Sequence, residues 1–133
     1  MTRRSATQHF ILLGSFFAGT AVAAGAFGAH ALKEVLDTSR LAVFDTATRY
    51  QMFHAFGIFF VAWAMERYPG RGLEWAGWLF TIGILLFAGS LYGLSLAGVR
   101  GLGAVTPIGG LALIAGWVVL GWNSWKVSGA QTP

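Results

Sequence analysis

The stretch Asp45-Thr46-Ala47-Thr48-Arg49-Tyr50-Gln51-Met52-Phe53-His54 sets ionisable and amide side chains at the mouth of an otherwise apolar helix. At about 100° per residue, His54, Gln51, Thr48, Asp45 and Arg49 fan across an arc of about 220°. A charge at the bilayer centre costs about 2.5–3.5 kcal/mol on insertion scales. A polar arc that wide must be covered by other helices or lie in the headgroup zone. This helix is therefore read as one member of a bundle, with its first turns near a membrane surface.

The rest of the chain supplies the bundle. Of its 133 residues, 56% are hydrophobic and 11% charged, with a mean hydropathy of +0.63; in a soluble domain about 25% carry charge. The length suits one domain. The net charge is +4, but Arg3, Arg4, Lys33, Arg40, Arg49, Arg67, Arg71, Arg100 and Lys126 come singly or in pairs. They form no stripe for a nucleic-acid backbone, so nucleic acid is excluded as a partner. Cysteine is absent, which removes disulfides, thiolate metal sites and cysteine nucleophiles.

About 20 apolar residues span a bilayer. Counting runs on that basis predicts an all-α, polytopic up-down bundle of four transmembrane helices over about 8–30, 46–65, 75–97 and 105–125, with a disordered tail over 126–133. The basic start and the Ala21-Val22-Ala23 stretch also resemble a signal peptide, but the apolar run continues to His30 and three more spans follow. In the first span, Gly14 and Ala18, Gly19 and Ala23, Ala21 and Gly25, and Ala24 and Gly28 are each four apart. Such spacing lets helix backbones approach closely, as do Gly89 and Gly93 in the third span and Gly109 and Gly110 in the fourth. Residues 31–36 read as a short interfacial turn or a fraying helix end.

Asp37, Thr38 and Ser39 offer N-caps for the second helix. Asp45 and Arg49 are four apart in the favourable order for an ion pair. The connection from Glu66 to Glu74, with Pro69, Gly70 and Gly72, is a turn. Gly98 to Gly103 makes a tight loop around Arg100, and Thr106 with Pro107 looks like an N-cap and first helical position.

The resulting bundle has unlike poles. His30, Asp45, Arg49, Gln51, His54, Ser90, Tyr92, Ser95 and Thr106 gather at one, and all six tryptophans lie at the other, with Trp117 deeper. Aromatic belts normally occupy both interfaces. Lys and Arg count higher on the terminal side, so the positive-inside rule points the termini to the cytoplasm.

Gly25-Ala-Phe-Gly-Ala-His30, Arg49-Tyr-Gln-Met-Phe-His-Ala55, Gly89-Ser-Leu-Tyr92 and Thr106-Pro-Ile-Gly-Gly110 with Gly116-Trp117 resemble the blocks of the family called domain of unknown function 423, small membrane proteins similar to transmembrane protein 256 of animals. The resemblance covers nearly the whole chain. It implies a four-helix integral membrane protein of the bacterial inner membrane, and no established chemistry. The first loop departs from the pattern, with Thr38-Ser39 where a Ser-Pro type cap is expected.

Each polar candidate has two readings. His54 with Gln51 is a proton-accepting or ligand-binding pair, or an interhelical hydrogen-bond lock worth about 0.6 kcal/mol per bond. His30 is a partner for His54 in a haem or metal site, or a helix C-terminal cap. Arg49 joins Lys33 in an anion or lipid-headgroup site, or pairs with Asp45. Tyr92 and Ser95 add donors to one cavity or satisfy themselves locally. Gly25, Gly28, Gly89, Gly93, Gly109 and Gly110 mark packing faces, internal or homo-oligomeric. Motifs for metalloprotease, serine hydrolase and phosphate-loop chemistry are missing. The chain is therefore expected to be a non-enzymatic accessory or assembly element of the bilayer, engaging a larger complex or a second copy, with no metal. A small-solute or proton-coupled permease lined by His30, Arg49, Gln51, His54 and Tyr92 is the alternative, and haem or quinone binding a third.

Overall fold

The computed structural model describes residues 3–68 and 71–129. The regular structure among them is helical: α1 (Arg3–His30), α2 (Thr38–Arg67), α3 (Gly72–Ala97) and α4 (Thr106–Gly129), with 3-10 turns at Leu32–Glu34 and Arg100–Ala104. The Asp37 carboxylate caps α2 by accepting from the Arg40 amide at 2.9 Å. Tyr68 ends α2 in an extended conformation, φ −120° and ψ 125°, as the residue before a proline prefers. Pro69 and Gly70 of that turn lie outside the described residues. Gly98, at φ +69°, closes α3 in the left-handed region that suits glycine.

α4 runs on through Lys126 to Gly129, past the end expected at Trp125, so the first part of the expected disordered tail is helix. The Lys126 ammonium sits 5.2 Å from the Trp122 ring centre, and a cation is favoured in a last helical turn. Residues 130–133 lie outside the described residues. Residues 31–36 settle as a 3-10 turn that buries Leu32. Thr106 opens α4, but its hydroxyl faces Ser90 Oγ at 2.8 Å and the Leu102 carbonyl at 3.4 Å.

Neighbours in sequence are antiparallel neighbours in space. Thr7 near the start of α1 donates to Glu66 near the end of α2 at 2.8 Å, and α1 closes on α2 again where Gly28 meets Phe44. The helices pack as a bent row, α1 on α2 on α3 on α4, in which α1 and α4 do not approach one another. An up-down bundle of four spans is compatible with this row as well as with a closed ring. The row arises because α2 and α3 are the two helices packed on both sides, leaving α1 and α4 as its ends.

Alternating three- and four-residue steps define the seams. On α1 the buried positions are Ala6, Thr7, Phe10, Gly14, Phe17, Ala21 and Gly28, and from Thr7 to Ala21 they keep the spacing of a helix that holds one stripe against its neighbour. The Gly19–Ala23 pair faces outward instead. Gly14 takes the edge of Phe59, 3.0 Å from where a Cβ would stand, and Gly28 takes Phe44 at 2.9 Å. Phe80 of α3, fully buried, lies between Gly57 of α2 and Gly116 of α4, whose added Cβ atoms would stand 3.1 and 2.7 Å away.

Gly89 and Gly93 do not share a packing role. Gly93 is filled by Leu102 of the second 3-10 turn, whereas a Cβ on Gly89 would meet nothing within 4 Å. The six tryptophans are all exposed, clustered at the ends of α2 and α4 and the start of α3, with Trp117 further in.

Three helical stretches, Arg4–Glu34, Gly72–Ala97 and Arg100–Lys126, are long and apolar enough to cross a membrane. α2 is less apolar because Arg40, Asp45, Arg49 and Gln51 fall in its first half and His54 just past its middle. It is also the central helix, flanked by α1 and α3. The least apolar helix is thus among the best shielded.

Candidate functional site

Gln51 is where three helices meet. Its amide nitrogen donates to the Phe17 carbonyl at 2.9 Å and to Thr20 Oγ1 at 2.8 Å, both on α1. Its oxygen accepts from the Tyr92 hydroxyl of α3 at 2.8 Å. The Phe17 carbonyl can only accept, which fixes the amide's orientation. Tyr92 stands 3.3 Å from Thr48 Oγ1, and Thr48 and Thr20 return their own protons to carbonyls one turn back. Every donor in the cluster is therefore committed, and Gln51 is buried.

A second junction joins the start of α2 to the end of α3. Arg40 Nε donates to the Ser95 carbonyl at 2.6 Å and Nη2 to the Leu96 carbonyl at 2.8 Å. Ser95 Oγ, almost fully buried, donates back to the Arg40 carbonyl at 2.7 Å. A helix C-terminus carries carbonyls without intrahelical partners and partial negative charge, so a guanidinium satisfies both at once. In the sequence Arg40 reads only as one of the scattered cations. Its signal is the distance of one turn from the Asp37 cap, which places it in the first turn of α2, but its partner on α3 cannot be read from spacing.

Arg40→Met is expected to weaken this clasp by about 1–2 kcal/mol, the worth of two hydrogen bonds to a helix end. Arg40→Lys should restore only part, since one ammonium cannot reproduce the fork. Faster amide hydrogen exchange at the end of α3 and in the turn after it is the measurement. Unchanged exchange in the methionine variant would dismiss the clasp.

The other candidates lie apart from both junctions. His54 is three residues from Gln51, yet its ring turns to the α3–α4 side, with ring centres 5.8 Å from Phe80 and 6.0 Å from Trp117. Its Nδ1 is 2.7 Å from the Tyr50 carbonyl. A carbonyl can only accept, so Nδ1 carries the proton of this bond. His30 is exposed at the end of α1, so the two imidazoles are not brought together. Asp45 and Arg49 pair at 3.1 Å with both side chains more than half exposed. An exposed pair of this kind is worth a few tenths of a kcal/mol. Lys33 and Asp45 share a small cleft of about 210 Å³ with Gly25, Gly28 and Thr48.

Among the described residues no buried side-chain nitrogen or oxygen lacks a hydrogen bond, and no group of three or more His, Asp or Glu is placed to hold a metal. The polar groups thus form separate junctions, each closed on itself. Of the His30, Arg49, Gln51, His54 and Tyr92 expected around one pocket, Gln51 and Tyr92 come together, while His30, Arg49 and His54 lie on other faces. What opens beside Gln51 is a lateral groove of about 470 Å³ between α1 and α3, walled by Phe16, Phe27, Leu85 and Leu96. Sequence reading missed it, because it arises where α1 and α3, both packed on α2, barely touch each other.

The family described as protein of unknown function (DUF423) matches residues 24–110, which include Arg40, Gln51, Tyr92 and Ser95. A UPF0382 membrane protein of Staphylococcus epidermidis is 44% identical over 120 residues, 90% of this chain and 98% of that protein. The UPF0382 membrane protein YwdK of Bacillus subtilis is 46% identical over 112 residues, 84% of this chain and 91% of its own. One from Staphylococcus aureus is 42% identical over 120 residues, 90% and 98% of the two chains. No solved structure matches.

Proposed function

We propose, from the premise that the chain belongs to the DUF423 family and is a membrane protein, that it acts as a non-enzymatic accessory or assembly element spanning the bilayer four times. The observation that carries this reading is the closure of its interior polar groups. Gln51, Arg40 and Ser95 hold helix to helix, and a chain of such locks leaves no continuous polar route for a solute or proton.

The fourth span is α2. Phe53, Phe56, Phe60 and Trp63 make an exposed stripe on it, bounded by exposed Arg49 and Arg67. The two arginines are about 27 Å apart at 1.5 Å per residue, close to the roughly 30 Å of a hydrocarbon core. A phenylalanine stripe ended by arginines at that separation suits a helix with one face in lipid. The termini then sit together on the tryptophan side, which the count of Lys and Arg assigns to the cytoplasm.

The engaging surface is the outer face of α4. Ile108, Leu111, Val118, Trp122 and Trp125 are exposed along it in three- and four-residue steps completed by Ala115. Gly93, by contrast, is filled from within this chain by Leu102, and Gly89 faces open space. Extraction in native lipid particles, with a photo-cross-linker at Val118, should capture one defined polypeptide or a second copy, while a cross-linker at Phe56 should give lipid only. Lipid alone from both positions would refute the assembly role. Proton or solute flux into liposomes above that of empty vesicles would favour the permease instead, and an absorbance spectrum of the purified protein tests haem.

A further inference from the structure

The lateral groove between α1 and α3 holds chemistry that the assembly role does not use. It is lined almost wholly by carbon, with Phe16, Phe27, Leu85 and Ala88 among its walls, and its volume of about 470 Å³ falls in the range of small-molecule sites. Gly89 adds to the opening, since a side chain there would meet nothing within 4 Å.

Three polar residues reach the groove: Thr20, Gln51 and Tyr92. Their protons are all directed elsewhere. Thr20 donates to the Phe16 carbonyl at 2.8 Å, Gln51 donates to Phe17 and Thr20, and Tyr92 donates to Gln51. Lone pairs remain. The Tyr92 oxygen has accepted nothing from these partners, and the Gln51 oxygen has taken one bond of two. The floor therefore offers partial negative charge and no uncommitted N–H or O–H. A ligand that only accepts, such as a ketone, ester or quinone, gains no bond without breaking one already made. A ligand with an O–H gains one at once.

We propose that this groove is a binding site for an uncharged lipid alcohol, an apolar chain carrying a hydroxyl or quinol O–H that enters sideways from the bilayer and donates to Tyr92 or Gln51. The complementarity is electrostatic: a lone hydrogen-bond donor on the ligand against a floor of acceptors, inside walls that exclude water. A charged headgroup has no counter-ion among the three polar residues. The inference stands independently of the assembly role, which needs only the outer face of α4.

The test compares geranylgeraniol with its methyl ether, which has the same chain but no proton to donate. Each is titrated into the purified protein in phosphatidylcholine nanodiscs and retention is read by native mass spectrometry. The alcohol should be held at least roughly fivefold more tightly than the ether, the worth of one hydrogen bond. Gly89→Leu fills the groove from open space and should abolish retention while leaving the helical circular dichroism unchanged. Leu85→Trp, at an exposed wall position, is the second blocking variant if Gly89→Leu unfolds. Equal retention of alcohol and ether, retention of neither, or wild-type retention in the folded blocking variant would each overturn the proposal.

Discussion

Gly109→Ala is expected to destabilise the protein by about 2–3 kcal/mol, while Gly110→Ala, one residue on, leaves it unchanged or slightly more stable. Both substitutions add a single methyl to α4, and both positions belong to the same pair of glycines in the sequence. Their surroundings differ. A Cβ on Gly109 would strike the backbone nitrogen of Phe87, with its Cα at 2.8 Å and the Leu86 carbonyl carbon at 2.9 Å. A Cβ on Gly110 would rest against the Phe87 ring at 3.6 Å, ordinary contact. A side chain can turn aside, but helix backbone cannot, so the methyl at Gly109 must push α4 off α3. Overpacking of this kind costs about 1–3 kcal/mol, and an immovable neighbour puts it at the upper end. The methyl at Gly110 meets no such obstacle, and alanine is the better helix former by up to about 1 kcal/mol. Reversible unfolding in mixed micelles, followed by tryptophan fluorescence, measures both. Equal stability of the two variants would mean that α3 and α4 do not meet backbone to backbone at Gly109.

That pair shows how far the sequence can be read. Small residues four apart mark faces where helices approach, and Gly25, Gly28 and Gly109 do lie on such faces. Spacing alone does not say which neighbour arrives. Gly93 accommodates Leu102 from a turn only a few residues along, and Gly89 faces open space, because the tertiary arrangement and not the local motif decides what fills a gap. The four helices and the Asp37 cap follow from composition and local chemistry, which is why they were legible. The bent row was not, since four spans of similar length are compatible with either a ring or a row until side-chain volumes are summed at each seam.

The candidate site divides along the same line. Gln51 and Tyr92 come together on α2 and α3, but His54 does not join them. A three-residue separation on a helix swings the side chain by about 60° from its neighbour, enough here for Gln51 to reach α1 and His54 to reach Trp117 of α4. Arg40 was the reverse case: a residue with no apparent partner in its own segment, whose acceptors are carbonyls at the far end of α3. Backbone acceptors carry no sequence signature, so clasps of this type are invisible without coordinates.

Gln51→Leu is expected to lower stability by about 2 kcal/mol and to loosen α1 from α2, the second large effect. The substitution keeps the volume and makes α2 more apolar, so partition into lipid alone would favour the variant. What is lost is a set of three hydrogen bonds, two to α1 and one from α3. Each is worth about 0.6 kcal/mol on average between membrane helices and up to about 1.7. Little is stranded to add to that: Tyr92 keeps Thr48 within 3.3 Å and Thr20 keeps its bond to Phe16. The sum therefore stays near the bonds themselves. Because the chain has no native cysteine, a cysteine pair at Gly25 and Thr48, where an added Cβ on Gly25 lies 3.4 Å from Thr48 Cγ2, reports α1–α2 closure by disulfide formation. Cross-linking should slow in Gln51→Leu, and Tyr92→Phe should add less in that background than it does alone, since the bond it removes is already gone. Full additivity with undiminished cross-linking would show that Gln51 does not lock the helices. The amide would then have to be explained by what it offers the groove.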